Sequence, residues 1–340
     1  MIQKPTTLSV IGSGSWGTAL AITVAQTIDN VILWGKESEE IEAIKRDGVN
    51  SRYLPDTPLP DNIVATDQFD EVINDDLCFL IVVPSHAFRT VLTLLHSQLL
   101  EAGKNPDKAV IVWGTKGLEP KTQNLLSDVA ADVFGGQAVL GVVAGPSFAK
   151  ETAAKQPTAF TVASSNLEEA DALANWFRTP ATRAYHGDDI IGTQIGGAVK
   201  NVMAIAAGIS AGLGYGANAA AALMTRGLSE ITRLGLKLNA KPATLTGLSG
   251  MGDLVLTCTD NLSRNRRFGL GLGEGKSQEQ VIKEIAQEIE GINTALEVNE
   301  LAKRLDVDMP ITRQVFLVVH QGKDPRDAVD ALLNRGSSAE

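Results

Sequence analysis

The chain has almost nothing with which to cross-link itself, carrying two cysteines in 340 residues, Cys78 and Cys258. Two thiols cannot build a disulfide framework, and Cys78 lies in an apolar run (LCFLIVV) where it reads as a small buried hydrophobe. A reducing compartment fits. The polar start (MIQKPTT) contains no apolar signal region, so a cytoplasmic location is expected. Clustered positive charge is also scarce: 30 Lys and Arg stand against 40 Asp and Glu, a formal net charge of −10. That argues against nucleic acid as the main partner, because binding a phosphate backbone needs a concentrated cationic surface. A small phosphorylated ligand is still allowed, since it needs only two or three well-placed cations. His96, His186 and His320 have no metal-ligand spacing, and no metal is expected.

Long apolar runs are rare as well. From Asn201 to Thr225 no charge occurs until Arg226, a length that could span a bilayer. Ala and Gly dominate this stretch, and Asn201, Ser210, Tyr215 and Asn218 interrupt it. It therefore reads as a buried helix, and no membrane span is predicted.

What the chain does have is length and alternation. At 340 residues it exceeds the ~250–300 at which single cores stop growing, so two domains are expected. Short β-rich runs alternate with helix-period segments, the mark of βαβ units and a mainly parallel sheet. The runs are Leu8 to Ile11, Val31 to Trp34, Ile63 to Ala65, Leu77 to Val83, Ala109 to Trp113, Ala138 to Val143, Ala159 to Val162 and Thr182 to Tyr185. A polar helix over Ser38 to Arg46 and a Pro-rich loop over Leu54 to Pro60 fall among them. From Asp188 onward only helical patterns appear, and only the final GSSAE reads as frayed. The expected fold is α/β, with an N-terminal Rossmann-like doubly wound domain over residues 1–190 and an all-helical domain over 191–340. The change of texture falls near residues 187–196.

Gly12-Ser13-Gly14-Ser15-Trp16-Gly17 is a G-x-G-x-x-G run, weak evidence alone. Here it follows a strand within one residue, opens an apolar helix and precedes the next strand by a short interval, as a dinucleotide site requires. Gly12 would make the tight turn, Gly14 admit the pyrophosphate, and Gly17 pack helix on strand. The N–H groups of the helix start, at Ser15 and Trp16, would face the phosphates. An acidic residue about 20 positions on usually holds an unphosphorylated ribose. Here Lys36 stands first and Glu37 follows. The cation favours NADP(H); an inward Glu37, with Lys36 as a solvated surface residue, would allow NAD(H).

Ligands of such sheets bind beyond the strands' carboxyl ends. Polar clusters stand there at Pro84-Ser85-His86, at Gly114-Thr115-Lys116-Gly117 and at Gly145-Pro146-Ser147. Ser147 also reads as a helix N-cap, with Glu151 in the turn beyond. His86 has two readings, proton shuttle or structural histidine. In the helical half, Lys200 sits in an uncharged setting (QIGGAVKNVM). An ammonium there is costly unless paired or functional, and burial would lower its pKa as a proton-transferring lysine needs. Asp253 lies in a Gly-rich turn. Ser263-Arg264-Asn265-Arg266-Arg267 is the one dense cationic cluster, either a phosphate site or a solvated loop.

These motifs in combination (GSGSWGTALA, VILWGK, RYLPD, VVPSHAFR, WGTKGLE, AGPSFAKE, GAVKNVMAIAAGI, GLSGMGDLVLTC, SRNRRFG and EGINTA) resemble those of bacterial-type NAD(P)-dependent glycerol-3-phosphate dehydrogenases. They run in order over nearly the whole chain. The resemblance implies reversible reduction of dihydroxyacetone phosphate to sn-glycerol 3-phosphate, supplying glycerophospholipid synthesis, by a cytoplasmic homodimer. It implies that Lys200 exchanges a proton with the C2 oxygen and that Asp253 sits beside it. Substrate contacts would come from Lys116, Gly145, Ser147, Ser263, Arg264 and Asn265. The cofactor would meet Gly12, Gly14, Ser15, Trp16, Gly17, Lys36, Tyr53, Lys116, Ala149 and Arg264, with Glu290 closing over it. Two rivals share parts of this pattern. Another Rossmann-plus-helical reductase acting on a hydroxy acid or sugar acid has no reason for the SRNR cluster. A dinucleotide-sensing regulator has no need of Lys200.

Overall fold

The computed structural model describes residues 2–335; the terminal GSSAE lies outside the described residues. Strands β1 (Thr7–Ile11), β2 (Asn30–Trp34), β3 (Ile63–Thr66), β4 (Cys78–Ile81), β5 (Val110–Trp113), β6 (Val139–Ala144), β7 (Thr158–Ser164) and β8 (Thr182–Gly187) form one sheet. Their order is β3-β2-β1-β4-β5-β6-β7-β8. The chain reverses its direction of travel between β1 and β4, which leaves a crevice at their carboxyl ends. Between strands lie α1 (Ser15–Val24), α2 (Ser38–Asp47), α3 (Ser85–Glu101), α4 (Leu126–Phe134), α5 (Ala149–Ala153) and α6 (Leu167–Ala174). Every expected strand is present. The pairing differs at one point: β6 and β7 run antiparallel, because only the five-residue helix α5 joins them. That is too short a crossover to return the chain in parallel.

The central strands are apolar on both faces since helices cover both. Phe79 and Trp113 pack with Phe88 on one side, and Leu8, Val10 and Leu80 with Leu20 on the other. After β8 the described residues form helices and no further strand: α7 (Ile190–Gly212), α8 (Ala217–Lys237), α9 (Pro242–Leu245), α10 (Asp253–Thr259), α11 (Arg264–Gly273), α12 (Gln278–Ile285), α13 (Glu290–Arg304), α14 (Pro310–Gln321) and α15 (Pro325–Leu333). Asp189 caps α7, its carboxylate accepting from Gly192 N at 2.8 Å and from Lys241 N at 2.8 Å.

Helix α7 is the axis of this half. Among the described residues it alone is long and apolar enough to cross a membrane, yet 89% of its apolar window is buried inside the molecule. It is therefore a core helix. The uncharged run from 201 to 225 is not one buried helix, however. Gly214, at φ +86°, turns the chain, and the residues that follow begin the partly exposed α8. Small residues explain how α7 becomes so enclosed. A Cβ on Gly208 or Gly212 would meet α11 backbone at 2.1 and 2.3 Å, and one on Gly269 or Gly273 would meet α7 backbone at 2.0 and 2.4 Å. Glycines four apart on each helix let the two axes touch, which brings the start of α11 alongside Lys200 and Asn201.

Candidate active site

A cleft of about 610 Å³ runs from the β1–α1 turn to the start of α11. On the sheet side its wall is backbone. Gly12 has φ +123°, and a Cβ there would lie 2.5 Å from the Val82 carbonyl. A Cβ on Gly17 would lie 1.8 Å from the Gly12 carbonyl, so only glycine lets α1 close on the turn. Gly14 is different: a Cβ there meets nothing within 4 Å, and the space in front of it is open cleft. Gly14 occupies the N-cap position of α1 without a side-chain cap, and the first turn holds no acid. Free N–H groups and the positive end of the helix dipole thus face that opening, a fit to a pyrophosphate.

Trp16 rises from the same turn. Its ring stands edge-on to Phe160, and Lys116 Nζ lies 5.9 Å from its centroid. Tyr53 and Ala149 complete this side, packed with Trp16 around Ala19, Ile22 and Leu54. Lys36 and Glu37 line the far end of the cleft, both exposed.

The opposite wall is made of charge. Asp253 is fully buried and holds two ammonium groups: Lys116 Nζ donates to Oδ2 at 2.9 Å, and Lys200 Nζ donates to Oδ1. Lys200 also donates to Thr257 Oγ1 at 2.9 Å. Asp253 reaches this position because the Gly-rich segment expected as a turn is a single π-helical turn, Leu248–Gly252, running straight into α10. That turn presses on α7 where Gly196 leaves room, a Cβ there meeting Ser249 O at 2.2 Å.

The two buried cations share one carboxylate, and their proton affinities shift in opposite directions. Burial pushes Lys200 down to about 8; Asp253 opposes the fall and Lys116 adds to it. Burial also acts on Lys116, but the attraction of Asp253 outweighs it and holds that ammonium above its ordinary value. Lys200 is therefore the group poised to lose a proton near neutrality, a property expected of a general acid and base. The two titrate as a coupled pair.

Toward the floor, Ser263 caps α11, its Oγ accepting from Arg266 N at 3.2 Å, and Arg264 and Arg267 face the cleft. Asn265 donates to Asn201 Oδ1 at 3.0 Å and accepts from Gly291 N at 2.9 Å. Asn201 in turn donates to Glu290 Oε2 at 3.4 Å. Burial pushes the Glu290 carboxyl up, with Arg264 and the two lysines pulling it back.

Most of the residues singled out from the sequence thus converge on one cleft: Gly12, Gly14, Ser15, Trp16, Gly17, Lys36, Tyr53, Lys116, Ser147, Ala149, Lys200, Ser263, Arg264, Asn265 and Glu290 line it. Asp253 lies beneath the wall, behind the two lysines. Gly145 does not line the cleft; it turns the chain at φ +152° against Phe160. Ser147 is not a helix cap, because Phe148 takes the N-cap position and the Ser147 hydroxyl donates to Gly145 O at 3.0 Å. The cationic cluster is divided: Arg266 turns away to Cys258 O at 2.9 Å and to Asn261. His86 sits exposed on the rim. Asn201 and Thr257 were not singled out, although each is a polar residue close in sequence to one that was: Asn201 directly follows Lys200, and Thr257 lies one helical turn beyond Asp253.

A strand-end glycine cradle facing a buried lysine of lowered proton affinity across the cleft defines a class, the two-domain dinucleotide-dependent oxidoreductases. Comparison with known proteins narrows it. The family model for the NAD-dependent glycerol-3-phosphate dehydrogenase N-terminus matches residues 7–170, and that for the C-terminus matches residues 189–330. A glycerol-3-phosphate dehydrogenase [NAD(P)+] of Colwellia psychrerythraea is 48% identical over 334 residues, 98% of each chain. The crystal structure of a glycerol-3-phosphate dehydrogenase from Coxiella burnetii superposes with a TM-score of 0.92 at 44% identity, covering 98% of this chain and all of that one. The chain belongs to the NAD-dependent glycerol-3-phosphate dehydrogenase family. A D-mandelate dehydrogenase structure shares the fold at a TM-score of 0.58 and 14% identity.

Proposed function

We propose that the cleft reduces dihydroxyacetone phosphate reversibly to sn-glycerol 3-phosphate. The observation that carries this reading is the Lys116–Asp253–Lys200 cluster, set between a backbone anion cradle and the cationic start of α11. The relatives' names agree with it. Residues 1–190 form the dinucleotide-binding domain and residues 191–340 the helical domain that supplies the proton and the phosphate anchor. When bound, the reduced nicotinamide supplies a hydride to the ketone carbon.

The chain's own residues do the rest. The uncapped N-terminus of α1 holds the pyrophosphate, with Trp16, Tyr53, Ala149 and Glu290 around the remainder of the cofactor. Arg264, aided by the N–H groups of the α11 start that Ser263 and Asn265 shape, anchors the substrate phosphate, a charge-assisted site at a helix N-terminus. Lys116 and Ser147 orient the substrate's other end. Lys200, as ammonium, donates its proton to the C2 oxygen; in the reverse direction the neutral amine takes that proton back. Anchoring the phosphate fixes the ketone relative to both groups.

Lys36 beside Glu37 supports a preference for NADPH, with NADH also accepted. Two buried free thiols support a reducing, cytoplasmic setting, and the product suits glycerophospholipid synthesis. Exposed Tyr215, Leu236 and Leu333 on the helical half support pairing of two copies, which sedimentation would test. The direct test of the reaction is loss of reduced-nicotinamide absorbance on adding dihydroxyacetone phosphate, with NADPH and NADH tried separately. Turnover requiring both the phosphate and Lys200 is expected; a protein that binds dinucleotide yet turns over neither mixture overturns the substrate.

A further inference from the structure

Two motif residues take no part in the chemistry above: Arg89, which ends VVPSHAFR, and Glu119, which ends WGTKGLE. They meet. Arg89 Nη2 donates to Glu119 Oε2 at 3.2 Å and its Nε donates to Oε1, while Thr122 Oγ1 donates to Oε2 at 2.6 Å. Glu119 is 8% exposed, and Arg89, on the second turn of α3, reaches Asp132 of α4 with its other arm. The guanidinium holds the Glu119 carboxyl below its usual range, so the pair is ionised at neutral pH.

Glu119 lies three residues beyond Lys116, and the chain is packed in on either side of that lysine. Thr115 Oγ1 donates to Val83 O at 2.8 Å, and Gly114 N to Ile81 O at 2.9 Å. Gly117 has φ +130°, and a Cβ there would lie 2.9 Å from Ser85 Oγ at the start of α3. Leu118 is fully buried. The β4–α3 corner therefore grips the Lys116 segment on both sides. The same corner, through Val82, Val83, Pro84 and Ala87, lines the cleft.

We propose that the Arg89–Glu119 ion pair is a positioning device that holds Lys116 against Asp253 and so sets the proton affinity of Lys200. The inference rests on reading Lys200 as the proton donor and acceptor. The groups facing Lys200 are Asp253 and Thr257 of α10, Cys258 beside them, Lys116 from the β5 loop and Glu290 of α13. Of these, Lys116 is the neighbouring cation that disfavours a second ammonium. If its segment is released, Lys116 drifts from Asp253, the carboxylate serves Lys200 alone, and Lys200 keeps its proton to higher pH.

The test compares the parent with Glu119→Gln, Arg89→Met, the double variant and the milder Glu119→Asp. Two readouts are taken: the pH midpoint of glycerol 3-phosphate oxidation, and the pH midpoint of Lys200 acetylation by acetic anhydride followed by mass spectrometry, which needs no turnover. Both midpoints should rise by about one unit in either single variant, slowing oxidation below the midpoint about tenfold. The double variant should move no further than one single change, since both break the same pair. Glu119→Asp, which keeps the charge, should shift less and covers the case in which the others do not fold. Folded variants whose acetylation midpoints match the parent overturn the inference. A parent that acetylates with the expected midpoint but turns over no dihydroxyacetone phosphate overturns the reaction instead, and leaves the positioning role to be decided by the acetylation series.

Discussion

On the sheet side of the cleft the ligand-facing surface is backbone. Gly12, Gly14 and Gly17 sit within six residues, and their geometry comes from one turn between β1 and α1. On the facing side the surface is side-chain charge, and its parts come from far apart, from the β5 loop and two helices: Lys116 and Asp253 are separated by 137 positions, Lys200 and Asp253 by 53. The first wall is general, since any pyrophosphate fits N–H groups at a helix start. The second is specific, and is held by a buried carboxylate whose loss would leave two cations unpaired, a change costing roughly 3–5 kcal/mol. The cradle can therefore tolerate replacement wherever space is open, while the cluster should respond steeply to any loss.

The largest expected effect lies on the charged side. Lys200→Ala should lower kcat about 10²–10⁴-fold in both directions, the range for a positioned acid or base. Dinucleotide affinity should hold, and Lys116 still neutralises Asp253, so the fold should survive. With Lys200 as the proposed acid and base, oxidation would draw on the neutral amine and should climb as pH rises through about 8, whereas reduction would draw on the ammonium and should decline over the same interval. Stopped-flow rates across pH would check this; an oxidation step insensitive to pH, with chemistry limiting, would remove Lys200 from the role.

Arg264→Ala comes next. Hydrogen bonds to a charged group contribute about 1.5–3 kcal/mol, so the KM for dihydroxyacetone phosphate should rise roughly 10–150-fold. Reduction of unphosphorylated dihydroxyacetone should barely change. Should the variant keep its preference for the phosphate, the anchor lies elsewhere along the α11 start, where Arg267 is the other arginine that lines the cleft.

The two walls also differ in how far the sequence betrayed them. A glycine turn is a local object, and GSGSWG between a strand and an apolar helix carries its own geometry; the strands, being short apolar runs bounded by turn residues, were as readable. The antiparallel β6–β7 pair was not, because pairing direction depends on where a five-residue helix returns the chain. Lys200 stood out because an ammonium in an apolar helix needs a reason. Its partner did not: nothing in the spacing of Asp253 and Lys200 brings them together, and family resemblance supplied that pairing. Ser147 misled for a related cause. A serine before a short helix resembles a cap, yet its hydroxyl had a nearer acceptor in Gly145. Arg89 and Glu119 close two motifs 30 positions apart, and their pairing appears only when α3 and the β5 loop meet.

Two glycines sharpen the comparison further. Gly17→Ala forces a Cβ to 1.8 Å from the Gly12 carbonyl, so it should destabilise the protein by about 1–3 kcal/mol or more and lower Tm without any ligand present. Gly14→Ala meets open space, and its φ of −67° suits any residue. Its Tm should match the parent's, while dinucleotide Kd should rise about tenfold, or about 1.4 kcal/mol, because the methyl would occupy the place proposed for the phosphate. Equal Tm losses in the two variants would mean that the cradle is a structural turn with no ligand-shaped opening.

The smallest effect belongs to Lys36. It is exposed, so a contact with a ribose 2′-phosphate is screened and contributes about 0.2–1 kcal/mol, as for other exposed ion pairs. Lys36→Asp should therefore lower the ratio of NADPH to NADH efficiency by about fivefold or less from loss of the attraction, and somewhat more through the new repulsion. Salt discriminates this from a packing effect: near 1 M, where screening acts within about 3 Å, most of the difference between parent and variant should vanish. A ratio that does not move at low salt would make Lys36 an ordinary solvated lysine. Glu37→Gln would then be the informative change, because a carboxylate that holds an unphosphorylated ribose should lower NADH efficiency, and leave NADPH efficiency untouched, when it is neutralised.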